Sequence, residues 1–96
     1  MENQTTNKRI DVRGALLAAK KYLQSLRGLL EYEIKDLRLE EVELSEDRKY
    51  WLITLGFLTI TPGEEESFFS KKERDYKVFK INAETSEVES MKIREL

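Results

Sequence analysis

Acidic side chains crowd the middle of this chain: Glu40, Glu41 and Glu43, followed closely by Glu46 and Asp47. Carboxylates so near one another could hold a hard cation or share a proton in acid–base chemistry. A calcium loop, however, needs ligands at fixed spacing around a turn glycine, and no glycine stands here. The run therefore reads as the solvated face of a strand, and Glu64, Glu65 and Glu66 read as a solvated loop.

Cations cluster in two places. Lys20, Lys21 and Arg27 form one group, and Lys71, Lys72, Arg74 and Lys77 form a second, interleaved with Phe68, Phe69 and Tyr76. Aromatic faces between cations can stack bases while the charges neutralise phosphate. The three glutamates just upstream and a net charge of −2 oppose that use, so nucleic acid is not the expected partner. Without cysteine or histidine the chain has no thiol nucleophile, disulfide, ordinary zinc site or imidazole for a catalytic triad. Gly14 and Gly28 do not make a phosphate-binding loop, because no strand precedes them and no Lys-Ser or Lys-Thr follows in the required pattern. No catalytic, metal or cofactor-binding residue is expected, nor any cofactor, and the chain is read as a non-enzyme.

Phe68 and Phe69 are the more informative pair. Adjacent residues in extended backbone point in different directions, so burying one tends to expose the other. An exposed aromatic among charges resembles an interface anchor; the alternative is a pair that folds back to plug an open end of a sheet. On the first alternative Phe68, Phe69, Lys71, Lys72 and Arg74 are the expected partner-binding residues.

The elements that must position these residues follow from periodicity. Residues 1–10 are polar with little to bury, so a flexible N-terminal arm is expected, with a single domain over residues 11–96. Val12, Leu16, Ala19, Leu23, Leu26 and Leu30 recur at steps of four and three, and Ala15, Tyr22 and Leu29 widen the stripe. This predicts an amphipathic helix with Asp11 as N-cap and Gly28 at its C-terminal stop. The period then falls to two. Leu37 and Leu39 share one face and Val42 and Leu44 the next, with Glu40 and Glu41 shifting the alternation by one residue, which a β-bulge would reconcile. After a polar turn at residues 45–49, residues 50–61 form the most strand-like stretch: Trp51, Ile53, Leu55 and Phe57 lie on one side, and the other side is apolar enough to be partly covered. Pro62 and Gly63 stop it. Residues 62–75 either extend the neighbouring strands as a long hairpin or form a mobile loop. Two further strands follow, from Tyr76 to Ile81 and from Val88 to Ile93, joined by the turn-forming residues 82–87. The expected fold is α+β: one N-terminal helix packed on a curled antiparallel sheet of about four strands.

Residues 77–88, Lys-Val-Phe-Lys-Ile-Asn-Ala-Glu-Thr-Ser-Glu-Val, resemble the closing hairpin of PepSY-type domains, a strand, a Val-Asp-Ala-x-Thr-Gly-x-Val turn and a strand. The element order is also similar to the broader cystatin-like fold, a long helix cradled by a curled sheet. Asn82 stands where that pattern has Asp, and Ser86 where it has Gly. Family members are associated with peptidase propeptides and envelope proteins and are thought to bind or inhibit, so the resemblance implies a binding role.

The expectation from the sequence is thus a non-catalytic protein-binding domain, an inhibitor, immunity-type or regulatory partner acting by occlusion or by docking of a sheet edge. Its partner is another protein, with a homodimer through an edge strand as a further option. A small-ligand carrier using the concave side of the sheet is the alternative. No apolar run approaches the ~20 residues that span a bilayer, and the N-terminus does not resemble a secretory signal. No membrane partner is expected, and the chain is expected in the cytoplasm unless a leader has been removed.

Overall fold

The computed structural model describes residues 9–29, 33–60 and 74–94. Among them lie one helix, α1 (Val12–Ser25), and four strands, β1 (Glu33–Leu44), β2 (Tyr50–Ile60), β3 (Arg74–Asn82) and β4 (Val88–Ile93). The strands form one open antiparallel sheet in the order β1-β2-β3-β4, with α1 packed on one face, an α+β arrangement.

Asp11 caps α1 as its spacing predicts: its carboxylate oxygen accepts the Gly14 N–H at 3.0 Å, satisfying one of the orphan donors of the first turn. The helix stops at Ser25, earlier than the leucine periodicity predicts. The Ser25 hydroxyl donates to the Tyr22 carbonyl at 2.6 Å, and the chain tightens into a 3-10 turn over Arg27–Leu29. Leu29 consequently leaves the buried stripe and is 80% exposed. The stripe that does form is narrow. Ala15, Ala19 and Leu23, one helical turn apart, lie on Ile53, Leu55 and Phe57 of β2 and Phe79 and Ile81 of β3, each no more than 3% exposed. Two alanines at the contact leave room for the two phenylalanines of the sheet, and Tyr22 meets the Phe79 ring edge-on at 6.3 Å.

Ile10 is the last residue of the segment expected from the sequence as an arm. Ile10 packs against the core, donates its N–H to the Ala83 carbonyl at 2.8 Å and accepts the Trp51 indole N–H at 3.1 Å. An apolar side chain and two hydrogen bonds make Ile10 part of the domain. No helix among the described residues is long and apolar enough to cross a membrane.

β1 begins at Glu33, within the stretch where the period falls to two, and carries two irregularities. One lies between Leu39 and Glu41, the bulge that the adjacent glutamates predict. The other lies between Lys35 and Arg38, where Asp36 adopts a left-handed φ of 54°. The same one-residue phase change, from Ile34 to Leu37, marks it in the sequence. The β3–β4 turn has the predicted chemistry. The Asn82 side-chain oxygen accepts the N–H groups of Glu84 and Thr85 at 2.8 and 3.0 Å, and Ser86 takes a left-handed φ of 64°.

Candidate functional site: the outer strand β1

Helix α1 makes its main contacts with β2, β3 and β4; Ile34 and Leu37 near the start of β1 still pack on the core, but the middle of β1 is left open on the helix side. Register shows what this leaves open. Leu39 pairs with Leu55 and Val42 with Ile53, so both point to the helix side of the sheet, since directly opposed residues share a face. Their β2 partners are buried under the helix, whereas Leu39 and Val42 are 45% and 37% exposed. Among the described residues, nothing pairs with the outer edge of β1. A strand with open backbone groups and apolar side chains beside them is a template for another strand. At its start, a pocket of about 120 Å³ opens between the helix end and β1, lined by Leu23, Gln24, Arg27, Ile34, Asp36 and Leu37.

Among the described residues no helix lies on the opposite face of the sheet, yet Thr54 and Gly56 of β2 are buried there. Long side chains cover them. Glu40 and Tyr76 cross over Gly56 so closely that a Cβ at this position would lie 2.6 Å from Glu40 Oε2 and 3.0 Å from Tyr76 Cε1. Arg94 reaches Glu41 at 2.9 Å. Arg74, at the start of β3, donates from Nη1 to the Asp36 carboxylate at 2.8 Å and from Nη2 to the Asp36 carbonyl at 2.9 Å, and its Nη2 lies 3.6 Å from Glu40. Arg38 adds a second guanidinium to Asp36 at 3.0 Å. Hydrogen bonding from Arg38, reinforced by the charges of Arg38 and Arg74, holds the Asp36 carboxyl below the usual carboxylate range. At the β1–β2 turn the Ser45 hydroxyl and the Lys49 N–H, at 2.6 and 3.0 Å, likewise lower Asp47.

Of the residues singled out in the sequence for partner binding, Phe68, Phe69, Lys71 and Lys72 lie outside the described residues. Arg74 is described, with a side chain only 18% exposed, clamped on Asp36 at the irregularity between Lys35 and Arg38. Glu40 and Glu41, read in the sequence as solvated, each meet an arginine from a distant strand or its end. The space between the sheet and the helix is filled by the helix stripe and by side chains of β2 and β3. Beside it, a surface groove of about 530 Å³ runs between α1 and the β4 hairpin, past Ile10, Leu17, Tyr22 and Val88. Sequence reasoning missed Leu39 and Val42 as surface residues, because a helix expected to shield the whole sheet leaves no apolar strand face uncovered. No protein-family model, curated protein or solved structure matches the chain.

Proposed function

We propose that this chain is a non-catalytic protein-binding domain whose outer strand β1 accepts an extended segment of a partner protein. The observation that carries this reading is the exposure of Leu39 and Val42 on the helix side of β1, beside an edge that no described strand pairs. An added strand would bond to the open backbone groups and lay alternate apolar side chains on Leu39 and Val42. The opposite face is already covered by its own ion pairs and by Tyr76, so it offers less apolar surface. Occlusion of the bound segment is the mechanism for an inhibitor, immunity-type or regulatory partner working in the cytoplasm. Phe68 and Phe69 serve as further anchors, with Lys71 and Lys72 setting orientation through charge. The kinship with PepSY-type and cystatin-like domains belongs to the same proposal, supported by the left-handed Ser86 at the position where those domains carry glycine.

The test is selection of extended peptides from a random displayed library, with the docking site mapped by amide hydrogen exchange. Selected peptides should alternate apolar and polar residues, protect the amides of β1, and lose binding to Val42→Lys and to the paired Phe68→Ala, Phe69→Ala variant. Peptides that protect only other segments, or that bind Val42→Lys undiminished, would overturn the assignment.

A further inference from the structure

We infer that β1 is self-complementary and that a second copy of this chain is its partner, joined across a two-fold axis between Glu40 and Glu41. The inference rests on the reading of β1 as a docking edge and specifies the occupant and register. Ser45 donates its N–H to Tyr50 O at 2.8 Å, so alternation directs the backbone groups of residues 43 and 41 at β2 and those of Val42 and Leu44 at the open edge. Leu39 pairs with Leu55, two residues from the Ile53 that pairs with Val42, so its backbone groups also face the open edge. The bulge makes this possible, for it puts Leu39 and Val42 on one face although they are three residues apart.

That odd spacing selects the register. With the axis between Glu40 and Glu41, Leu39 lies opposite Val42 of the second copy and Leu37 opposite Leu44, all on the helix side. Arg38 lies opposite Glu43, both on the outer face, where they pair with Gly56 and Leu52. Moving the axis by a single residue along the chain in either direction sets a helix-side residue against an outer-face residue. The glutamates at the axis would repel if bare, but each already meets an arginine of its own chain, Glu40 with Arg74 at 3.6 Å and Glu41 with Arg94 at 2.9 Å. Cross-strand opposite charges favour the pairing at both ends, twice over by symmetry. Because each copy uses the same edge, the assembly closes at two copies, doubling the four-stranded sheet without leading to fibres.

Sedimentation analysis of the full chain across micromolar to millimolar concentrations tests this. The wild type should dimerise, Glu43→Arg should weaken the dimer roughly tenfold by setting like charges opposite each other at two symmetric places, and the Arg38→Glu, Glu43→Arg double variant should recover most of the loss. Val42→Lys should be monomeric with an unchanged circular dichroism spectrum, which separates lost pairing from lost folding. A dimer insensitive to both Glu43→Arg and Val42→Lys overturns the register and the edge. Peptide capture on the same samples separates the two proposals: a monomeric wild type that still captures extended peptides overturns self-pairing alone, and one that captures none overturns both.

Discussion

Replacing Gly56 with alanine should destabilise the domain, although alanine is ordinarily the better strand residue. The added Cβ would lie 2.6 Å from Glu40 Oε2, 3.0 Å from Glu40 Cγ and 3.0 Å from Tyr76 Cε1. Ordinary carbon contacts lie at about 3.5–4.0 Å, so the methyl overlaps Tyr76 by about half an ångström and Glu40 by more. Glu40 Oε2 ends a flexible side chain and can swing aside, so the cost is set by Glu40 Cγ and the Tyr76 ring and falls in the lower half of the range of about 1–3 kcal/mol for core overpacking. The greater backbone freedom that glycine loses on folding offsets about 0.5–1 kcal/mol of that. The net loss is near 1 kcal/mol, which for a domain of this size lowers Tm by about 4–8 °C. The decisive comparison is made in a Glu40→Ala background, where two of the three close atoms are gone. There the same substitution should become nearly neutral, giving a coupling of about 1 kcal/mol. Urea unfolding followed by the fluorescence of Trp51, the only tryptophan, provides the readout. If Gly56→Ala is as stable as wild type in both backgrounds, the outer face of β2 is not closely covered, and apolar docking surface is then not concentrated on the helix side of β1.

Three further outcomes are expected. Asp36 and Asp47 titrate below the usual carboxylate range when folded, so the stability they add is present above their unfolded values and is lost as pH falls through the folded ones. Tm should therefore drop on acidification below about pH 4, and less steeply in Asp47→Asn, as measured by thermal melts across that range. Ser86→Gly should raise stability by about 0.5 kcal/mol, because relief of a left-handed φ of 64° slightly exceeds the extra entropy of an unfolded glycine; a lower urea midpoint would contradict this. Trp51→Phe should cost about 1–2 kcal/mol by removing the indole donor to the Ile10 carbonyl, and it should speed exchange of the Ile10 amide bonded to Ala83, a local effect absent if residue 10 belongs to a free arm.

Asn82 shows how a departure from a familiar pattern acquires a local reason. Its oxygen makes the turn bonds that an aspartate would also make, while its Nδ2 donates to Glu89 Oε2 at 3.1 Å. An aspartate there would face that glutamate with like charge. The turn was legible in the sequence, and its choice of amide over carboxylate was not, because Glu89 stands on the next strand.

What the sequence determined by itself is whatever depends on near neighbours in the chain. The helix that starts at Val12, the Asp11 cap, the two-residue alternation of the strands and the bulge at Glu40 all follow from local patterns, and each appears in the structure. Tertiary structure alone decided which parts of those patterns are covered. The helix stops at Ser25 and lies over β2 to β4, which exposes Leu39 and Val42 although their periodicity matches that of buried strand residues. Arg74, read as a partner contact amid other cations, meets Asp36 across a separation of 38 residues, a pairing visible only once β2 lies between them. Periodicity reports which way a side chain points, but burial depends on what another element places over it.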